Sequence, residues 1–506
     1  MLNTLSALME AAQGIFTGIN ILYIILGGAL GVIFGVIPGL TAPILLSLLI
    51  PITIGMDRTA SMLLMGAALG GTTFAGSITS ILFGVPGTAN NIATTLDGYP
   101  LGKQGRAAEA IANAASSSIF GCVFGFIVLI LCVPVMMQVV SAFGPPEIFW
   151  VTMVGIFLIS IASKQSVFKG LLSGAFGLLL STHGFSSATG FVRFTFDIDY
   201  LWGGLKHIPI TLGIFGIAEL TNVILTRKKL SDNKANEVKG SGVWAGLIFP
   251  WKHIVTCIRG GVVGMVVGII PGAGAGIADS MAYVTEKKAS KHPETFGNGE
   301  MLGVTAPEAA NNAKDCGAML PMLSLGIPGS LATAILLGSF ELHGLQPGPK
   351  MFTEHLPVSM LIILAVLIGG IFSCVVGVGG LPVWKYLNKV PVPYMFIFLT
   401  GISALACFGS SGDVRDVMMA FIWGILGYFM LRYGFSRVAL MLGVVLGPTA
   451  EANFLRALQI SDGNFGIFFR NWICLGLLAL MVGYSVWPHI KKMIAKAKAK
   501  KKEASV

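Results

Sequence analysis

Residues 27–39 read GGALGVIFGVIPG, and residues 260–272 read GGVVGMVVGIIPG. Seven of the thirteen positions are identical, and every difference exchanges one apolar residue for another. Each stretch is an apolar run that ends in Pro-Gly. Proline removes a backbone donor and disfavours helix before it, and glycine releases the chain into other dihedrals. A helix should form in each and break at Pro38-Gly39 and at Pro271-Gly272. A second pair follows in the same order: Gly84-Val85-Pro86-Gly87 and Gly326-Ile327-Pro328-Gly329, each after a long apolar segment. A third, weaker pair is Pro145-Pro146 and Pro391-Val392-Pro393. Motifs recurring in one order mark an internal repeat.

The repeat is embedded in a chain of 506 residues, of which 11% are charged and 54% hydrophobic, with mean hydropathy +0.82. Soluble proteins average roughly 25% charged residues. So few charges cannot cover a soluble surface, and so much apolar content excludes disorder. A polytopic membrane protein remains. A span takes roughly 20 apolar residues, and the apolar stretches imply about ten to twelve crossings. The alternation of a membrane barrel is absent, so the fold class is all-α. The 66 glycines are the compositional anomaly. GxxxG-like spacing (Gly27-Gly31-Gly35 and Gly260-Gly264-Gly268) suits close helix packing and would use part of them.

The chain divides into a first membrane repeat over 1–225, a basic linker over 226–241, a second repeat over 242–470, and a last helix with a basic tail over 471–506. The linker carries Arg227, Lys228, Lys229, Lys234 and Lys239, and seven lysines lie between Lys491 and Lys502. Both are expected on the cytoplasmic side. The net charge of +10 therefore reads as orientation, and no nucleic-acid partner is expected. An inverted pair of repeats needs an odd number of crossings each, which makes the last helix an addition. A parallel pair is the alternative. No Lys or Arg precedes Arg58, so the first helix is expected to stay in the mature protein rather than serve as a signal peptide. The seven cysteines are scattered without paired or zinc-type spacing and read as small buried hydrophobes.

Related halves with interrupted helices are the mark of secondary transporters, whose sites lie where helices break. Broken backbone at membrane depth must be buried or line a cavity. Freed carbonyls there attract a cation, and the N–H groups opening the next half-helix attract an anion. Candidate ion ligands are therefore the backbone around Pro38, Gly39, Pro271 and Gly272, with the amides Asn311 and Asn312. Candidate substrate contacts are Thr41 after the first break, Thr88, Asn90 and Asn91 after the second, and Ser330 and Thr333 after its counterpart. Thr88 and Ser330 hold equivalent places, where helix capping is the plain alternative role. Glu308 and Asp315 flank the amide pair in a mostly apolar region, a functional candidate unless the segment is a solvated loop.

No Walker motif, HExxH, His/Cys cluster or GxSxG elbow is present. No enzyme, nucleotide engine, metal or other cofactor is expected, only a coupling cation. A channel or carrier for another small anion is the alternative.

The stretches 35–43 (GVIPGLTAP), 79–107 (TSILFGVPGTANNIATTLDGYPLGKQGRA), 268–288 and 307–349 resemble the large membrane subunit of the tripartite tricarboxylate transporters, the TctA family. The resemblance covers nearly the whole chain. It implies a multi-pass protein of the bacterial inner membrane. Its implied partners are a small membrane subunit, a periplasmic solute-binding protein and the lipid bilayer. The implied cargo is an organic carboxylate (a tricarboxylate, a dicarboxylate or an aromatic acid), taken up with sodium or protons.

Overall fold

The computed structural model describes residues 2–37, 40–161, 166–185, 190–225, 242–270, 275–384 and 392–483. The linker, the basic end of the tail, and Pro38, Gly39, Pro271 and Gly272 lie outside the described residues.

The first half opens with α1 (Leu2–Ile15), bent by 86° against the helix that follows it. That helix, α2 (Asn20–Val36), stops just before the first Pro-Gly, and α3 (Ala42–Thr53) starts just after it. Then come α4 (Arg58–Phe83), a single 3-10 turn (Ala89–Asn91), α5 (Ile92–Leu101), a π turn (Gly102–Arg106) and α6 (Ala107–Ser141). After α7 (Pro145–Ile161) and α8 (Val167–Ser181), a two-stranded antiparallel hairpin, β1 (Gly184–Phe185) and β2 (Val192–Arg193), leads to α9 (His207–Thr211). A π turn (Leu212–Ile217) carries it into α10 (Ala218–Leu225).

The second half opens in the same way. The helix α11 (Val243–Lys252) is bent by 75° against α12 (Ile254–Ile269), which stops before the second Pro-Gly. There follow α13 (Ala275–Ala289), α14 (Leu302–Leu325), α15 (Leu331–Leu342), α16 (Pro349–Thr353), α17 (Leu356–Gly379) and α18 (Leu381–Trp384). The chain closes with α19 (Val392–Ser411), α20 (Val414–Tyr433), α21 (Arg437–Ile460), α22 (Ile467–Arg470) and an apolar helix, α23 (Trp472–Gly483).

Among the described residues, five helices are long and apolar enough to cross a membrane, or seven if each bent pair is one span. The expected ten to twelve crossings are not reached on that criterion, because of helix length and, in α14, because of the charged residues Glu308, Lys314 and Asp315. Several apolar stretches form helices of 10–17 residues, among them Ala42–Thr53 and Leu331–Leu342. At 1.5 Å per residue such helices reach only part of the way across a core of about 30 Å.

Glycine sets the packing around the middle of the molecule. Gly27, Gly31 and Gly35 of α2 lie against the carbonyls of Leu64, Ala68 and Thr72 on α4. In the second half, Gly260, Gly264 and Gly268 of α12 lie against those of Ala306, Ala310 and Lys314 on α14. A Cβ on Gly31 would sit 2.9 Å from Ala68 O, and one on Gly260 2.5 Å from Ala306 O, so only glycine allows these axes to approach so closely. Both sets rise together, so α2 runs parallel to α4 and α12 parallel to α14. Each long helix also packs on a helix of the other half: Gly369 of α17 meets Ala67 O of α4, and Gly121 of α6 meets Ala309 O of α14.

The two long helices themselves run antiparallel. Thr73 of α4 meets Asp315 of α14, while Ser77 meets Glu308. Outside this core, Gly177 of α8 meets Leu440 O of α21, and Gly213 of the second π turn meets Ala420 O of α20.

Candidate functional site

Polar side chains gather where α4 and α14 cross. Thr73 and Ser77 are four residues apart on α4, and Glu308, Asn311 and Asp315 follow the i, i+3, i+7 rhythm on α14. Each set therefore lies along one helix face. All five are buried. The solvated-loop alternative for 307–315 is excluded, because these residues sit buried inside α14.

Glu308 is fully buried and accepts three hydroxyl hydrogen bonds. Ser77 Oγ and Thr94 Oγ1 each lie 2.5 Å from Oε1, and Ser118 Oγ lies 2.9 Å from Oε2. A buried carboxylate is costly unless such partners satisfy it. Here they come from α4, α5 and α6 at once. Asp315 accepts from Thr73 Oγ1 at 2.6 Å and pairs with Lys314 Nζ at 2.9 Å. Asp279 of α13, also buried, accepts from Ala93 N at 3.1 Å and from Ser280 N at 2.7 Å. That bond from Ala93 ties the helix after one half's first break to the segment after the other half's second break.

The second breaks share one geometry. Gly84 and Gly326 end α4 and α14 in the left-handed region, at φ 68° and 73°. Glycine suits that conformation because it has no Cβ. Three residues further on, Gly87 comes within 2.7 Å of Gly35 O and Gly329 within 2.6 Å of Gly268 O, measured from an added Cβ. Each second break thus lies against the end of its own half's first broken helix.

The candidate site residues divide into groups. Thr88 Oγ1 donates to Asn91 Oδ1 at 2.6 Å and accepts from Asn90 N at 3.3 Å. Asn91 is fully buried and donates to Ser77 Oγ at 2.7 Å and to Thr73 O at 3.4 Å. Asn311 Nδ2 also donates to Thr73 O, at 3.3 Å. Thr88, Asn91 and Asn311 therefore meet around Thr73, and Asn90 sits half-buried beside them. Asn312 faces elsewhere and donates to Cys122 Sγ at 3.0 Å. Ser330 and Thr333 bond each other in a capping box that opens α15, and Thr41 occupies the N-cap position of α3 without a side-chain cap bond. Among the described residues no group of His, Cys, Asp and Glu could hold a metal ion.

Sequence reasoning did not assign Thr73, Ser77, Thr94, Ser118 or Lys314 to the site. Helix-face spacing was the available signal for Thr73 and Ser77. Ser118 and Thr94 had none, since their partner Glu308 lies far along the chain.

The sequence matches the profile described as the Tripartite tricarboxylate transporter TctA family over residues 21–442. It is 32% identical over 481 residues to an uncharacterised 52.8 kDa protein in the TAR-I ttuC' 3' region of Agrobacterium vitis, covering 95% of each chain. It is 34% identical over 217 residues to an uncharacterised protein in the TAR-II ttuC' 3' region of the same organism. That match covers 43% of this chain and 90% of the relative.

Proposed function

The chain belongs to the tripartite tricarboxylate transporter TctA family, and on that premise we propose that it imports an organic carboxylate by cation symport. In this reading it is the large subunit of a binding-protein-dependent system in the bacterial inner membrane. A small membrane subunit and a periplasmic solute-binding protein complete that system, and sodium or protons drive it. The observation that carries the reading is the buried cluster of carboxylates, amides and hydroxyls where antiparallel α4 and α14 cross. The hydroxyl and amide donors of such a centre hold an anionic solute without trapping it, and its carboxylate oxygens suit the coupling cation.

We assign Thr41, Thr88, Asn90, Asn91, Ser330 and Thr333 to the carboxylate. The coupling ion goes to Asn311 and Asn312 with the backbone around Pro38, Gly39, Pro271 and Gly272. The halves are read as inverted repeats, a reading supported by the opposed directions of α4 and α14 and by the matched glycine contacts.

The test is to purify the solute-binding protein encoded with this chain and titrate it calorimetrically with citrate, succinate and benzoate. Micromolar or tighter binding of one acid, and its uptake only when that protein is present, is the expected result. Uptake at an unchanged rate without the binding protein would refute the tripartite reading.

A further inference from the structure

The adjacent charges Lys314 and Asp315 are paired in a way that helix geometry does not favour. Neighbouring positions on a helix point about 100° apart and do not face each other. Even so, Lys314 Nζ bends to within 2.9 Å of Asp315 Oδ1. Lys314 is 4% exposed. Its ammonium has three donors to place, and among the described residues it forms an ion pair with Asp315. The other nearby carboxylate, Asp279, already receives Ala93 N on one oxygen and Ser280 N on the other.

Beside this pair lies an acceptor with nothing to accept. Asn311 is 1% exposed, and its Nδ2 donates to Thr73 O, the residue whose hydroxyl binds Asp315 Oδ2. Asn311 Oδ1 is buried without a partner. An unmet buried acceptor is costly, and an anion cannot relieve it. Asn311 Oδ1, the Asp315 carboxylate and Thr73 Oγ1 are all hard oxygen ligands, the kind an alkali cation prefers.

We propose that Lys314 and Asp315 form the coupling switch of the transporter. A sodium ion at the Asn311 end of the ion site assigned above, bound by Asn311 Oδ1, Asp315 and Thr73 Oγ1, displaces Lys314 from Asp315, and the freed ammonium takes a carboxylate of the substrate. This inference rests on the carboxylate-symport reading above. It supplies coupling without a long path. If Lys314 left Asp315 with no cation present, a buried charge would stand unpaired, which is strongly unfavourable. With the cation in place both charges keep partners, so each ligand binds better when the other is bound.

The experiment titrates the purified full-length chain in detergent with sodium chloride against choline chloride, reading thermal stability. Wild type should show a saturable stabilisation by sodium, and Asp315→Asn should lose it. Lys314→Gln should bind sodium about tenfold more tightly, because a charge-assisted competitor for Asp315 is gone. A misfolded variant cannot produce that gain. Equal or weaker sodium affinity in Lys314→Gln, or sodium binding retained in Asp315→Asn, would overturn the switch. Stabilisation that follows pH and ignores sodium would overturn the choice of ion.

A second arm reconstitutes the complete system and offers citrate, succinate and benzoate. Lys314→Gln should lose carboxylate uptake while keeping its sodium binding. Wild type that binds sodium but moves none of these acids would refute the carboxylate reading and leave the cation site standing. Carboxylate uptake retained in Lys314→Gln would refute the switch and leave the carboxylate reading standing.

Discussion

Glu308 gives the sharpest test of the buried cluster. Glu308→Ala removes the acceptor of Ser77, Thr94 and Ser118 together. Each stranded hydroxyl in a buried site costs about 1 kcal/mol or more, so the loss is about 3 kcal/mol before the cavity is counted. Glu308→Gln behaves differently. Its Oε1 keeps the bonds from Ser77 and Thr94, and its Nε2 donates to Ser118 once that hydroxyl rotates to accept. The cost of Gln should stay within about 1 kcal/mol, since replacing a partner by one that still bonds is nearly neutral. Thermal unfolding of the detergent-purified chain, followed by tryptophan fluorescence, measures the difference. A large fall in Tm for Ala and a small one for Gln is expected. If Gln destabilises as much as Ala, or Ala is neutral, Glu308 does not organise the crossing of α4, α5, α6 and α14.

Other substitutions test separate parts of the account. Gly31→Ala and Gly264→Ala should each cost about 1–3 kcal/mol, seen as similar falls in Tm, because each Cβ meets a carbonyl of the facing helix. Asn91→Ala should lower both stability and uptake, since Asn91 bonds Thr88, Ser77 and Thr73. Asn90→Ala should spare stability and abolish uptake, and normal uptake would remove Asn90 from the site. Ser330→Ala should cost about 1 kcal/mol from the lost cap. Ser330→Asn should restore the Tm without restoring uptake if the hydroxyl also serves the substrate.

Much of the fold was legible because its signals are local. The Pro-Gly pairs at 38–39 and 271–272 predicted helix ends, and α2 and α12 do stop at Val36 and Ile269. The glycine spacing predicted close packing, and the contacts of Gly31 and Gly264 bear that out. The number of full crossings was less legible, because hydropathy does not distinguish a full span from a helix as short as α3 or α15. The site was only partly legible. Asn91 and Asn311 stood out as amides in apolar sequence, and they do meet at Thr73. Thr73, Ser77 and Ser118 are ordinary small residues of apolar helices. Their role comes from the antiparallel crossing of α4 and α14, which joins positions far apart in the chain. Lys314 was hidden for a different reason. A lysine next to an aspartate reads as a solvated pair until burial shows that no solvent reaches it.

The central claim is that this chain carries out coupled, binding-protein-dependent carboxylate transport. The most direct measurement is counterflow in proteoliposomes that hold the complete tripartite system, preloaded with the unlabelled acid and given the labelled one outside. The account predicts transient accumulation of label that requires both the solute-binding protein and the coupling cation. Label that only equilibrates, with a conductance independent of both, would identify a channel and contradict the account.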